Sequence, residues 1–268
     1  MSSIANPGGH APTTPLLRGR AGVRRALNAA LSRAGLVLSP KPPAERLEPE
    51  FLDLQNRCAP YTMTSLERMY AVWQAINYVV AARVPGDVVE CGVWRGGSTM
   101  LAAMTLSRRG DSERRLWLFD TFEGMAPPGP MDVTGALGEN PHMEWREAQV
   151  GDHNEWCYSP LDEVKVNMSA TGLAAERFTY VKGRVEDTIP GTIPGQIAVL
   201  RLDTDWYSST RHELVHLFPL LQPGGVLIID DYGHWAGARK AVDEYLEETG
   251  TRLLLARVDE TGRVAVKR

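Results

Sequence analysis

Two short apolar runs that end in aspartate constrain this chain more than any other feature. Residues 197–202 lead into Asp203, and residues 225–229 lead into Asp230 and Asp231. Runs of this kind, bounded by Gly, Pro and Asp, are typical of buried parallel strands. Because open α/β sheets bind ligands at the carboxyl ends of their strands, we expect the three carboxylates to share one crevice. They would repel one another there without a cation, and oxygen-only ligation favours Mg²⁺, Mn²⁺ or Ca²⁺ over a soft metal.

Strands and helices alternate along the sequence after about residue 65. The pattern predicts strands at 87–91, 115–119, 178–182, 198–202 and 225–229, and helices at 65–82, 98–107, 161–170, 210–221 and 237–249. Residues 252–258 and 263–267 flank a turn and predict a β-hairpin. The predicted fold class is α/β, with a mostly parallel seven-stranded sheet, helices on both faces and the hairpin as an antiparallel end. Ser208, Ser209 and Thr210 are predicted to cap the helix that follows Asp205.

Composition divides the chain into three parts. Residues 1–20, with Pro, Gly, Ser and Thr, are predicted to be disordered, residues 21–84 to be a helical N-terminal extension, and residues 85–268 to be one α/β domain. Residues 125–160 are too long for a plain connection. They carry Trp145, His153, Trp156 and Tyr158, which favours a substrate lid over a linker.

The net charge, the length of the apolar runs and the cysteines argue against several classes of protein. The 268 residues carry a net charge of −4, which argues against a nucleic-acid binder that works by general phosphate attraction. No apolar run approaches the roughly 18 residues that span a bilayer, and the first residues do not resemble a secretory signal. The three cysteines are scattered and without metal-ligand spacing, so we expect reduced thiols in a cytoplasmic protein.

A glycine-rich turn follows the first predicted strand and opens the next helix. Its pattern over residues 90–97, E-x-G-x-x-x-G-G, differs from the G-x-G-x-x-G of dinucleotide-binding folds. The glycines permit close approach of a ligand, and the helix N-terminus near Ser98 favours an anion such as a carboxylate. Asp120 ends the second strand. An acid at this position commonly accepts hydrogen bonds from the ribose hydroxyls of the cofactor, in folds that bind nicotinamide cofactors and in folds that bind S-adenosylmethionine. Gly183 and Asp187 follow the third strand and either line an adenine site or form a capped turn.

Four segments together resemble the macrocin O-methyltransferase family, namely residues 86–97, 119–124, 200–210 and 224–233. The resemblance implies a class I methyltransferase fold, S-adenosyl-L-methionine as cofactor, and Mg²⁺ (or Mn²⁺) held by Asp203, Asp230 and Asp231. It also implies Asp205 as the general base beside Asp203, although which aspartate is base and which only ligand stays open. Cofactor contacts are predicted for Met63, Thr64, Glu90, Gly92, Val93, Trp94, Ser98, Asp120, Thr121, Phe122, Gly183, Asp187 and Asp203. Among these, Glu90 would take the ammonium group of the cofactor.

The resemblance implies a small-molecule acceptor, a hydroxyl of a deoxysugar on a glycosylated natural product in antibiotic biosynthesis. It also suggests a homodimer or larger homo-oligomer, with the basic N-terminal segment as a contact arm. Three alternatives stay open: methylation of a catechol-type phenol, a nicotinamide-dependent oxidoreductase, and a non-catalytic binding protein that keeps the fold. The sequence lacks the G-x-G-x-x-G pattern of dinucleotide-binding folds, which argues against the oxidoreductase. All three acids, Asp203, Asp230 and Asp231, are present, which argues against the non-catalytic binding protein.

Overall fold

The computed structural model describes residues 47–268. The predicted disordered tail and the first part of the predicted helical extension therefore lie outside the described residues. The division of the chain at residues 20 and 84 stays a prediction, as does the homo-oligomer.

The strands, in chain order, are β1 (Asp87–Cys91), β2 (Leu116–Asp120), β3 (Gln149–Val150), β4 (His153–Asn154), β5 (Phe178–Lys182), β6 (Ile197–Leu202), β7 (Leu221–Ile229), β8 (Ala256–Arg257) and β9 (Arg263–Val266). Seven of them form one sheet in the order β5-β2-β1-β6-β7-β9-β8. The first five in that order pair in parallel, and β9 pairs antiparallel with β7 and β8. The predicted fold class, including the C-terminal hairpin, is confirmed.

The helices are α1 (Pro49–Cys58), α2 (Leu66–Ala81), α3 (Gly97–Arg108), α4 (Pro141–Glu147), α5 (Leu161–Ser169), α6 (Val185–Thr188), α7 (Tyr207–His216) and α8 (Ala236–Glu248). Helix α1 was not expected from the sequence, although Pro49 suits a first helical position and Phe51, Leu54 and Cys58 are buried. Helix α7 begins three residues before the predicted Thr210 and ends at His216.

The apolar strands are buried on both faces of the sheet. Every residue of β6 is buried, as expected for a central parallel strand between two helical layers. Alternate residues point to opposite faces. Cys91 and Leu202 belong to the core that includes Val242 and Tyr245 of α8. Glu90 and Arg201 take the alternate positions, and the side chain of Glu90 hydrogen-bonds with Thr99 of α3.

The segment predicted as a lid, residues 125–160, is folded and packed. It contains α4 and the two-stranded β3–β4 sheet. The Trp145 Nε1–H donates to the Met125 carbonyl at 2.7 Å. Trp156 packs edge-on against Trp206 and Trp235, which precede α7 and α8, with ring centroids 5.7 Å and 6.1 Å away. Trp156 therefore holds the segment against the starts of the two helices that follow β6 and β7. Among the residues that the structure describes, no helix is long and apolar enough to cross a membrane.

Gly124, where this segment begins, offers a test of the packing. It has φ +86°, and an added Cβ would lie 1.7 Å from the Asn154 carbonyl oxygen, in a turn bonded to β4. We expect Gly124→Ala to lower the free energy of unfolding by about 3 kcal/mol, because the strained conformation and the clash add. Urea denaturation measures the change.

Gly110→Ala is the matched control. Gly110 has φ +69° but no atom within 4 Å of an added Cβ. Gly110→Ala should lower the free energy of unfolding by about 1 kcal/mol, because only the strained backbone conformation contributes. Equal losses in the two variants would show that the contact with Asn154 contributes nothing.

Candidate active site

A cleft of about 310 Å³ lies at the carboxyl ends of β1, β2, β6 and β7. Between β1 and β6 the strand order reverses, which is the place where open α/β sheets bind ligands. The predicted site residues that line the cleft are Met63, Thr64, Gly92, Val93, Trp94, Ser98, Asp120, Asp203, Asp205, Asp230 and Asp231. A smaller neighbouring pocket of about 70 Å³ adds Thr121 and Gly183.

The glycine turn forms one wall of the cleft. Gly92 has φ +82°, and a Cβ there would lie 1.8 Å from the backbone oxygen of Asp203, so only glycine lets the ends of β1 and β6 approach. The N–H groups of Val93 and Trp94 donate to Asp120 Oδ2 at 2.7 and 3.0 Å. Gly96, in the left-handed conformation, precedes α3 without a capping side chain. The first N–H groups of α3 therefore remain available beside the cleft.

Asp120 holds this turn by accepting backbone hydrogen bonds. Besides Val93 and Trp94, the Phe122 N–H donates to its Oδ1 at 2.7 Å. Burial raises the pKa of Asp120, and the three N–H donors act against that rise. The Thr121 hydroxyl also lies 3.4 Å from Oδ1, but its one proton has a shorter contact with the Gly124 carbonyl, at 2.6 Å. A carboxylate has about four lone-pair sites, so Asp120 retains capacity for a further donor.

Three carboxylates gather on the opposite wall. Oxygen atoms of Asp203, Asp205 and Asp231 all lie within 4.8 Å of one another. Burial raises the pKa of Asp205 to about 7, and the charge of Asp203 adds to the rise. Burial also raises the pKa of Asp203 and of Asp231 well above the ordinary range. Three negative charges this close are unfavourable, so the group either retains protons or binds a cation.

Asp205 stands in a strained conformation within this cluster. Its φ is +67°, which is uncommon for a residue with a Cβ. Trp94 and Cys157, which also line the cleft, have φ +47° and +57°. Strained backbone is concentrated at functional sites because the surrounding structure must stabilise it. Behind Asp205, the Thr204 hydroxyl donates to the buried Glu213 at 2.9 Å, which fixes the loop.

Two buried guanidinium groups partly offset the acids. Arg201, 4% exposed, reaches Glu90 at 2.5 Å, Asp203 at 2.7 Å and Asp230 at 2.9 Å. The β1–β6 register places Glu90 directly opposite Arg201. Arg68 of α2 pairs with Asp230 and, at 3.0 Å, with Asp259. Sequence reasoning missed both arginines, although an Arg inside the apolar run of β6 was a visible signal, since such a residue must be paired when buried.

Asp230 is placed differently from the prediction. The sequence grouped it with Asp203 and Asp231, whereas the structure brings Asp205 into that group and pairs Asp230 with arginines. Its Oδ1 nevertheless has no hydrogen-bond donor, although it is buried 2.9 Å from an Arg201 nitrogen. A carboxylate oxygen without a hydrogen-bond donor can still serve as a metal ligand.

The donor set fits a hard divalent cation. Among the described residues that line the cleft, five carboxylates (Asp120, Asp203, Asp205, Asp230, Asp231) face only Arg68 and Arg201 as guanidinium groups. All the clustered donors are oxygens, with no cysteine or histidine among them. Such a set suits Mg²⁺, Mn²⁺ or Ca²⁺.

Three predicted contact residues do not reach either pocket. Glu90 lines neither pocket, and its two oxygens accept from Arg201 and Thr99; the prediction that it takes a cofactor ammonium group stays a prediction. Phe122 is buried behind the turn, 2% exposed. The Asp187 side chain lines neither pocket, although its neighbours Val185 and Glu186 in the short α6 line the smaller one.

Comparison with known proteins identifies the family. The sequence matches the family described as Macrocin-O-methyltransferase (TylF) over residues 48–267. The chain belongs to the macrocin O-methyltransferase family. It is therefore an O-methyltransferase of an S-adenosylmethionine-dependent family. This confirms the resemblance found in the sequence and excludes the alternative of a nicotinamide-dependent oxidoreductase.

Curated relatives and a solved structure agree with this assignment. The chain is 37% identical over 215 residues to the 8-demethyl-8-(2,3-dimethoxy-α-L-rhamnosyl)-tetracenomycin-C 4'-O-methyltransferase of Streptomyces olivaceus, covering 80% of this chain and 78% of the relative. It is 32% identical over 204 residues to the mycinamicin III 3''-O-methyltransferase of Micromonospora griseorubida, covering 75% and 76%. The structure of the O-methyltransferase NovP superposes with a TM-score of 0.68 at 31% identity, covering 77% of this chain and 82% of that one.

The lid segment completes the methyltransferase cleft. Met125, Trp156 and Cys157 line it, together with His234 and Trp235 from the loop after β7. The sequence analysis named Trp156 as an aromatic residue of the lid, but it did not place Trp156 beside the acidic cluster. No local pattern reports which aromatic residues of a long segment face inward.

The acidic cluster predicts a pH dependence of stability in chelator. The pKa of Asp205 is raised to about 7 from 3.8, so its contribution is fully present below pH 3.8 and is lost as pH rises toward 7. We expect the melting temperature of the chelated wild type to fall more between pH 5 and pH 7 than that of Asp205→Asn. Thermal melting in EDTA across this range measures the difference.

Asp162→Asn is the control, because Asp162 is almost fully exposed and its ion-pair partner among the described residues is Lys165 rather than a histidine. It should follow the wild-type slope. Parallel curves for wild type and Asp205→Asn would show that Asp205 titrates like an ordinary surface carboxylate.

Proposed function

We propose that this protein transfers a methyl group from S-adenosyl-L-methionine to a hydroxyl of a deoxysugar carried by a glycosylated natural product, with a bound Mg²⁺ or Mn²⁺. The observation that carries the proposal is the cluster of Asp203, Asp205 and Asp231 facing the glycine turn across one cleft. The turn and the cluster belong to adjacent strands, so a cofactor on one wall and an acceptor on the other would meet between them.

The cofactor is assigned to the wall formed by the glycine turn. The uncapped N-terminus of α3, at Gly97 and Ser98, suits the carboxylate of the amino-acid part. Asp120, with its spare acceptor capacity, suits a ribose hydroxyl. Thr121 and Gly183 line the adjoining smaller pocket, which suits the adenine. Met63 and Thr64 border the cleft ahead of α2 and would close it over the cofactor.

The cation is assigned to Asp203, Asp230 and Asp231. Asp203 and Asp231 belong to the observed cluster, and the unbonded Oδ1 of Asp230 supplies a third buried oxygen. A cation held there would stabilise the developing charge on an acceptor oxygen and orient it. Arg201 and Arg68 keep the remaining negative charge of Asp230 compensated.

Asp205 is assigned as the general base. A sugar hydroxyl is a poor nucleophile, so its proton must be removed as its oxygen attacks the methyl group of the cofactor. Burial and the charge of Asp203 raise the pKa of Asp205 to about 7 in the metal-free protein, and a cation beside Asp203 and Asp231 would lower that pKa, so that Asp205 would be ionised and able to accept the proton near neutral pH. The strained loop holds Asp205 at the cleft, where the buried Trp235 and the half-buried Trp156 limit access of water. Positioning by these walls contributes much of the rate in such a transfer.

The acceptor class is supported by the relatives. One is a methyltransferase of a rhamnosyl tetracenomycin, and another acts on mycinamicin III. The cleft of this chain, with three tryptophans and a histidine beside acidic residues, suits a ring that bears adjacent hydroxyls. Catechol-type phenols offer the same pair of oxygens and are the second acceptor class to assay.

Calorimetric titration tests the proposal directly. S-adenosylmethionine and S-adenosylhomocysteine are titrated with Mg²⁺ and with EDTA, with NADH as control, and turnover is assayed on rhamnosylated acceptors and on a catechol. We expect micromolar binding of the methionine pair alone and metal-dependent methylation of the sugar. Methylation of the catechol alone, or turnover that persists in EDTA, would contradict the proposal.

If the aspartates have different roles, their substitutions should impair different properties, either the affinity for Mg²⁺ or kcat. We expect Asp230→Asn and Asp231→Asn to weaken Mg²⁺ binding at least about tenfold, because each removes a charged ligand. Asp205→Asn should keep Mg²⁺ affinity within about threefold and lower kcat at least about a hundredfold, because it removes only the base. Mg²⁺ titration calorimetry and steady-state kinetics measure the two effects. Loss of metal binding in Asp205→Asn with retention in Asp230→Asn would instead make the observed cluster the ligand set.

A further inference from the structure

Asp132 is a buried acid in the lid segment that the reaction does not use. It is 2% exposed, and no ion pair joins it to another described residue. Its partners are backbone N–H groups, Tyr207 donating to Oδ1 and Gly129 to Oδ2, both at 2.8 Å. Buried carboxylates without a cation are rare, so this position requires an explanation.

The Tyr207 N–H belongs to the first turn of α7, two residues after Asp205. The residue that precedes the helix, Trp206, provides no capping side chain. The predicted cap by Ser208, Ser209 and Thr210 is wrong, because the Ser209 hydroxyl donates to the Thr204 and Trp206 carbonyls and the Ser208 hydroxyl to Glu186. Asp132, 75 residues earlier in the chain, is the cap of α7. A carboxylate at a helix N-terminus is favoured by hydrogen bonding and by the helix dipole.

Gly237 makes room for this contact. It is the second residue of α8, and a Cβ there would lie 1.9 Å from Asp132 Oδ1 and 3.2 Å from the Tyr207 nitrogen. Asp132 therefore sits between the first turns of α7 and α8, the two helices that follow the acidic strand ends. Trp156 of the same lid segment packs on Trp206 and Trp235 at the same two helix starts.

We propose that Asp132 is a positioning residue for Asp205. By fixing the Tyr207 N–H, it anchors the end of the loop in which Asp205 holds φ +67°, so that the base is aligned only when the lid is seated. The proposal rests on the role of Asp205 in the proposed function. It assigns the lid a part in aligning the base as well as in covering the cleft.

Kinetics and hydrogen exchange of lid variants test the proposal. Asp132→Ala should lower kcat at least about tenfold and leave the KM values within about threefold, because alignment rather than binding is lost. Asp132→Asn, whose amide oxygen still accepts the Tyr207 N–H, should lose less than about fivefold. Gly237→Ala should reproduce the loss through its clash with Asp132. Asp152→Asn, an exposed acid of the same segment, should behave as wild type.

Two further readouts separate alignment from general damage. Amides 207–210 should exchange at least about tenfold faster in Asp132→Ala than in wild type. The double variant Asp132→Ala/Asp205→Asn should be no slower than Asp205→Asn alone, since the effects of two residues on one pathway do not add. Multiplying effects, or an Asp132→Ala protein with wild-type kcat and wild-type exchange, would overturn the proposal. A fully active Asp205→Asn would overturn the assignment of the base instead, and exchange at 207–210 would still report whether Asp132 holds the helix.

Discussion

The buried guanidinium of Arg201 is the contact on which the catalytic end of this sheet depends. It lies on the central strand β6 and reaches Glu90 on β1, Asp203 at the end of its own strand, and Asp230 at the end of β7. These three strands are neighbours, and each contributes an acid that would be unfavourable in a buried setting alone. Arg201 offsets part of that charge, including part of the charge of Asp203, and Asp205 and Asp231 bring two further carboxylates to the site. Glu90, for which a cofactor contact is predicted, also belongs to this network.

The uncompensated part of the charge gives the site its chemistry. Asp203, Asp205 and Asp231 lie too close together to be ionised at once without a cation, and burial strengthens the effect. The same environment that would attract a hard cation raises the pKa of Asp205 to about 7 when no cation is bound. An electrostatic arrangement that would be costly in an ordinary core would thus supply both a metal site and a base in the proposed reaction.

The cleft is shaped by close backbone contacts and by the lid. Gly92 lets β1 and β6 converge, and Asp120 holds the glycine turn through three N–H groups. On the other side, Trp156 and Asp132 attach the lid to the starts of α7 and α8. The helices that follow the acidic strand ends are therefore tied to the segment that covers them. This connection links residues 125–160 to the loop that carries Asp205, and it is the basis of the role proposed for Asp132.

The sequence by itself determined the fold class, the five parallel strands to within four residues at their ends, and the acids at the strand ends, because apolar runs and their flanking residues are local signals. It also placed Asp120 and the glycine turn, and it predicts that residues 125–160 are a lid. Only the tertiary structure decided which acids lie together: Asp205 joins Asp203 and Asp231, whereas Asp230 and Glu90 pair with arginines. It likewise decided that α7 is capped by Asp132 rather than by its own serines. Hydrogen bonds and ion pairs between residues distant in the chain depend on strand register and helix packing, and no local pattern encodes those.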